Sequence, residues 1–147
     1  AAANASIRSN SNNILILNGD TIFECNFQKV IEKFQILEST ISIVLNREKN
    51  DRYGGYILNE KGFLELSNNH SSYISMGATF TKRELLIKTY QKSKSKKGGF
   101  AMMDKDFISK VSAYPYILNA DNSFIDIGTL KSYKESQNII PLLLSSN

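Results

Sequence analysis

The stretch Ile14–Glu24, ILILNGDTIFE, decides how the chain is read. Four apolar residues run without a break into Asn18-Gly19-Asp20. A short continuous apolar run is how a strand buried on both faces of a sheet reads, as in a parallel sheet. A strand of that kind needs a reason to end on a carboxylate, because a carboxylate is expensive to bury unpaired. Gly19 lets the backbone turn and come close to a ligand. In an open α/β sheet ligands bind beyond the carboxyl ends of the strands, which is where Asp20 falls.

Working outward, Phe27, Val30, Ile31, Phe34 and Leu37 recur at helical spacing, with Asn26 placed to cap the helix. Thr40–Leu45 is apolar and β-branched, a second strand. Strand, helix, strand is a right-handed crossover unit. Residues 55–58 and 63–67 read as two strands around the turn Asn59–Gly62. Tyr73–Phe80 is a further strand, and Thr81-Lys-Arg-Glu84 reads as a capping box for the helix that carries Leu85, Leu86 and Tyr90. A helix around Asp104–Ser112, strands at Tyr114–Leu118 and Ser123–Ile127, and a last helix capped by Thr129 and running to about Asn138 complete the pattern. Before all of these, Ala1–Ile7 reads as the middle or end of a helix. The chain is therefore expected to be a piece of something longer.

The bulk numbers fit one α/β domain. There are 147 residues, 41% of them hydrophobic, with a net charge of +4. A mildly basic chain suits phosphorylated small molecules as partners. The one dense basic run, Lys92–Lys97, falls in a loop, so no nucleic-acid face is indicated. No window is long and apolar enough to cross a membrane, and Pro141 interrupts the longest apolar patch. Cys25 is the single cysteine, which rules out an internal disulfide and makes a reducing cytoplasm the natural compartment. Self-association into a homo-oligomer stays open.

Asp126 is the one other acidic residue set as Asp20 is. It lies in Ser123-Phe-Ile-Asp-Ile-Gly-Thr129, flanked by apolar residues and followed by a helix start. Mg²⁺ commonly takes one or two carboxylates, keeps waters, and draws its remaining ligands from substrate phosphates. Two lone carboxylates at a sheet edge suit that demand. Each also has a plainer reading. Asn-Gly-Asp is an ordinary turn, and Asp126 can cap the helix that follows.

Three motifs carry a resemblance. Leu17-Asn-Gly-Asp-Thr-Ile-Phe23, followed by a helix, resembles the metal-binding strand end of sugar-1-phosphate nucleotidyltransferases. Arg52-Tyr53-Gly54 resembles their RYG motif. Phe124-Ile-Asp-Ile-Gly-Thr-Leu-Lys-Ser-Tyr133 resembles their late motif around an Asp, and order and spacing agree along nearly the whole chain. The nearest flavour is the short bacterial enzymes that activate heptose or hexose phosphates for surface polysaccharides.

The resemblance implies a three-layer Rossmann-like fold with a mixed, mostly parallel sheet, of which residues 1–147 are the C-terminal two-thirds. It implies attack of a sugar 1-phosphate oxygen on the α-phosphate of a nucleoside triphosphate, with pyrophosphate leaving. Asp20 and Asp126 then hold Mg²⁺. Asn18, Tyr53, Gly54, Glu65 and Ser75 line the substrate, with Asn18 and Glu65 on sugar hydroxyls and Gly54 under the ring. The resemblance places no catalytic group in this chain, because the Gly-rich triphosphate loop belongs to an opening half that residues 1–13 do not supply. Leu66 stands where the family has a lysine, and Ser75 where it has an amide. Those departures leave room for a second reading, a non-catalytic relative that binds sugar phosphates as regulator or subunit. A metal-dependent glycosyltransferase would want an acidic pair where this chain offers Asp20 alone.

Overall fold

The computed structural model describes residues 2–46, 55–67, 71–94, 103–119 and 124–145. After helix α1 (Ala2–Ile7) come β1 (Asn13–Leu17), β2 (Thr21–Phe23), α2 (Phe27–Leu37), β3 (Ile41–Asn46), β4 (Gly55–Leu58) and β5 (Leu64–Ser67). Then follow β6 (Tyr73–Lys82), α3 (Arg83–Lys94), α4 (Met103–Asp106), β7 (Tyr114–Leu118), β8 (Phe124–Asp126) and α5 (Leu130–Ser145).

The main sheet runs β5-β4-β6-β3-β7, with β1 also on β6. Strand β6 is its axis. On one side it pairs with β3 along most of its length; on the other its first residues meet β4 and its last meet β1. All three pairings are antiparallel. This corrects the expectation of a mostly parallel sheet, since among the described strands only β3 and β7 are parallel neighbours. The physical reason is the placement of β6. Strands β1, β3, β4 and β7 do point the same way, as a crossover unit requires. The antiparallel β6 is inserted between β1 and β3, and separates β4 from β3 as well.

Helices on the two faces make three layers. On one face Val30 and Phe34 of α2 pack on Ile41, Ile43, Leu45, Ile74, Met76 and Ala78. On the other, Ala3, Leu86, Phe107 and Ile108 pack on Val44, Tyr56 and Leu64. Each fully buried Ile, Leu or Phe contributes about 1.5–3 kcal/mol relative to exposure. Buried hydroxyls of β6 and of β3 and the residue before it satisfy one another: Thr40 with Thr81 at 2.8 Å and Ser42 with Thr79 at 3.4 Å. The Thr81 hydroxyl is thus engaged with Thr40 and not in the expected capping box; β6 runs on to Lys82 before α3 begins.

Two other caps form as the sequence indicates. Asn26 Oδ1 accepts from the Lys29 N–H at 3.1 Å, and Thr129 Oγ1 from the Ser132 N–H at 3.1 Å. Helix α5 continues past Asn138 through Pro141. The run Ile14–Leu17 is not covered on both faces: Ile14 and Ile16 meet the second core, while Leu15 and Leu17 are 38% and 54% exposed.

Candidate functional site

The site begins at an irregularity in β6. The β3 register steps from Ile43↔Ala78 to Val44↔Ser75, so Met76 and Gly77 form a bulge without partners on β3. Gly77 has φ +68°, a conformation L side chains rarely adopt. The bulge turns two carbonyls toward the end of β1. Gly77 O accepts from the Asn18 N–H at 2.7 Å, and Met76 O accepts from Thr21 Oγ1 at 3.3 Å. The turn Asn18-Gly19-Asp20-Thr21 is therefore gripped at both ends by one bulge. A Cβ on Gly77 would lie 2.4 Å from Asn18 Nδ2, so the Asn18 carboxamide rests in space that only glycine leaves open. Gly19 is different: apart from its chain neighbours, nothing lies within 4 Å of a Cβ built there.

The far side of the turn meets the second, two-stranded sheet. Strand β2 pairs antiparallel with β8, Thr21 opposite Asp126. Asp20 O accepts from the Ile127 N–H at 2.9 Å. The backbones of Asp20 and Asp126 are thus neighbours at one end of the ribbon. Strict pleat alternation would send residues 20 and 126 to opposite faces. Asp20 lies in the turn before β2, outside the strand, so that alternation does not bind it. Asp126 Oδ1 accepts from the Gly128 N–H at 2.7 Å, which fixes the carboxylate over the start of α5. Among the described residues no group of three or more His, Cys, Asp or Glu side chains is close enough to hold a metal. The donor set here is two oxygen-bearing side chains, which suits a hard cation that completes its shell with water and phosphate.

Asn18 sits between two openings. One is a groove of about 780 Å³ between α1 and β1, which reaches Asn18 and Gly19 past Ser6, Ile16 and Tyr90. The other is a cleft of about 250 Å³ formed by Leu17, Asn18, Thr21 and Phe27 with their neighbours. Ser75 lies at the bulge, where its Oγ accepts from the Gly77 N–H at 3.3 Å. The backbones of Asn18, Asp20, Ser75 and Asp126 thus lie around the one bulge and the turn it grips.

Glu65 stands apart. It is on β5, opposite Ile57 of β4 and two strands from β6, roughly 10 Å across the sheet at ordinary strand spacing. Its neighbour Leu66 packs on the core beneath Tyr56, so Glu65 projects to the other face. Tyr53 and Gly54 lie outside the described residues. The bulge is what sequence reasoning underused. A glycine inside the run Tyr73–Phe80 was its signal, since Gly within a strand often marks a bulge or a close backbone approach.

Cys25 follows β2 and is half-buried, and burial pushes its thiol pKa up. The thiolate is the reactive form, so Cys25 is expected to be a slow nucleophile. Alkylation by iodoacetamide should be slower than that of free cysteine at every pH up to about 8, and its midpoint should lie above the ordinary thiol range. A midpoint below that range would show a stabilising cation near Cys25.

The Nucleotidyl transferase family model matches residues 1–141, and the chain belongs to that family. The chain is 29% identical over 142 residues to D-glycero-alpha-D-manno-heptose 1-phosphate guanylyltransferase of Aneurinibacillus thermoaerophilus, covering 88% of this chain and 56% of the relative. Among solved structures it is similar to HddC from Yersinia pseudotuberculosis, with a TM-score of 0.65 at 20% identity over 90% of this chain and 57% of that one. HddC complexed with GMP-PN gives a TM-score of 0.63. A Bacillus anthracis protein assigned as a glucose-1-phosphate thymidylyltransferase, solved with sucrose, gives 0.70 at 15% identity, over 94% of this chain and 58% of that one. The chain thus spans a little over half the length of these relatives. The structural likenesses establish the fold; the family model establishes membership.

Proposed function

We propose that the protein of which this chain is part transfers a nucleotidyl group from a nucleoside triphosphate to a sugar 1-phosphate of the heptose or hexose type. The products are a nucleotide sugar and pyrophosphate. The observation that carries this reading is the Met76–Gly77 bulge, which grips the Asn18–Thr21 turn beside Asp126 in a chain of this family. The relative from Aneurinibacillus, named for a heptose 1-phosphate and a guanylyl group, supports the sugar class and makes GTP the first triphosphate to test.

In this reading Asn18 hydrogen-bonds a sugar hydroxyl, and its carboxamide is held ready by contact with Gly77. Asp20 and Asp126 are the residues that would hold Mg²⁺. When bound, the ion neutralises charge on the phosphates of both substrates. The rest is positioning: the gripped turn keeps the sugar phosphate and the carboxylates in one place, which lowers the entropic cost of reaction. A nucleotide sugar of this kind feeds surface polysaccharide synthesis, and we place the reaction in the cytoplasm.

The test is pyrophosphate release by the intact protein, with each common nucleoside triphosphate against a panel of heptose and hexose 1-phosphates. Release that depends on both substrates and stops with EDTA is expected. Residues 1–147 produced alone should release none, because residues 1–13 carry no Gly-rich loop to present backbone N–H groups to a triphosphate. The non-catalytic alternative rests on Leu66, which packs on the core opposite Tyr56 where the family places a lysine. Sugar-phosphate binding by the intact protein without turnover would favour it.

A further inference from the structure

The turn that the bulge grips holds Asn18-Gly19, the one Asn-Gly pair in the 147 residues. Such a pair carries a chemistry of its own. The backbone nitrogen of the glycine can attack the side-chain amide carbon of the asparagine before it, and glycine hinders the approach least because it has no Cβ. The surroundings of Gly19 leave that approach open. Apart from its chain neighbours, nothing lies within 4 Å of a Cβ built there, and among the described residues no group accepts a hydrogen bond from the Gly19 N–H. Asn18, Gly19 and Asp20 are all exposed, so water and hydroxide reach the pair.

Asn18 itself is held. Its carboxamide makes no hydrogen bond among the described residues and rests by packing over Gly77. Its backbone is fixed more firmly. The Asn18 N–H donates to Gly77 O at 2.7 Å, and Thr21 Oγ1, three residues on, donates to Met76 O at 3.3 Å. Ring closure requires the Gly19 nitrogen to meet Asn18 Cγ. That takes rotation about the Asn18 Cα–C bond and a swing of the amide off Gly77. With both ends of a four-residue turn tied to one bulge, the rotation must break a bond of the grip.

We propose that Asn18–Gly19 is a self-modification site, a latent succinimide that the Met76–Gly77 bulge keeps from forming. When the turn opens, the Gly19 nitrogen gives its proton to solvent base and bonds to Asn18 Cγ. The Cγ–Nδ2 bond breaks, and Nδ2 leaves as ammonia. Water then opens the ring at either carbonyl. One opening leaves an aspartyl residue at position 18. The other leaves an isoaspartyl residue, in which the main chain runs through the side-chain carbons and is one atom longer. In sum, the amide and one water become a carboxylic acid and ammonia. Either product adds a carboxylate two positions from Asp20, and the isoaspartyl form also lengthens the turn that the bulge must span. The bulge thus preserves the carboxamide chemically as well as positioning it.

The test follows loss of the amide in the intact protein at mildly alkaline pH. The tryptic peptide Ser9–Lys29 is read by mass spectrometry, with position 18 located by fragmentation. Cleavage by hydroxylamine, which attacks the succinimide, is the second readout. Conversion in the folded protein should be about thirtyfold slower than in the same protein unfolded in guanidinium, the scale of two net hydrogen bonds that must open first. Thr21→Val removes one of them and should speed conversion roughly two- to tenfold, measured well below the Tm of the variant. Thr21→Ser keeps the hydroxyl and should match the unsubstituted protein. Gly77→Ala, which presses on Asn18 and weakens the other bond, should also be faster. Gly19→Ala should suppress conversion in folded and unfolded chains alike. Equal rates in the folded and unfolded protein, equal rates in Thr21→Val and Thr21→Ser, or conversion undiminished in Gly19→Ala would overturn the proposal. The readout is covalent and needs no turnover, so its result is independent of the nucleotidyltransferase reading.

Discussion

Asp126→Asn is expected to lower kcat of the intact protein by about two to three orders of magnitude, the usual scale for losing one group that stabilises developing charge. Sugar 1-phosphate binding should change only a few-fold. The substitution is nearly isosteric, and Asn Oδ1 can still accept the 2.7 Å bond from the Gly128 N–H. The start of α5 should therefore hold. What is lost is the negative charge beside the gripped turn, which matters most where phosphate charge must be neutralised during transfer. Asp20→Asn should behave similarly, since the Asp20 backbone bond to Ile127 does not involve its carboxylate. Steady-state kinetics with isothermal titration of the sugar 1-phosphate separates the two effects. A variant at either position that keeps full kcat would remove that carboxylate from the site. Equal losses in binding and turnover would make the carboxylates sugar ligands and not charge partners of the reaction.

How much of this could be read from the chain follows the range of the interactions involved. Asn26 and Thr129 were legible as caps because a cap is a matter of three or four neighbouring residues. Asn18, Asp20 and Asp126 stood out as candidates for the same reason: each sits in a short motif at a strand end. The strand directions were not. The run Ile14–Leu17 is apolar whether its neighbour is parallel or antiparallel, and its pairing with residues 78–81 is set by contacts more than 60 positions away. Thr81 misled for a related reason. Its local pattern is that of a capping box, yet its hydroxyl is drawn to Thr40, just before β3. The last helix was expected to run to about Asn138, but α5 continues through Pro141 to Ser145. The bond between the Tyr56 hydroxyl and Asp104 had no sequence signature, because it joins β4 to α4 across 48 positions.

Gly77→Ala should be among the most damaging single-methyl changes in the described chain, for two separable reasons. The first is conformational. At φ +68° an alanine costs on the order of 1–2 kcal/mol against glycine. The second is contact. The new Cβ would lie 2.4 Å from Asn18 Nδ2, 2.5 Å from Cγ and 2.8 Å from Cβ. A swing of the amide relieves the first two. The third is close to the backbone, so relief there displaces the end of β1 and weakens the 2.7 Å bond between the Asn18 N–H and Gly77 O. Together they should cost about 2–4 kcal/mol, a fall in Tm of roughly 5–15 °C for a chain of this size. A second substitution separates the two parts. Asn18→Gly in the Gly77→Ala background removes the contact and leaves the strained φ, so Tm should recover in part while sugar 1-phosphate binding stays lost, because the carboxamide is gone. Full recovery of Tm would mean that the bulge tolerates alanine and that contact alone requires glycine. No recovery would mean that Asn18 had moved aside without cost, and the grip of the bulge on the turn would then not depend on the fit between these two residues.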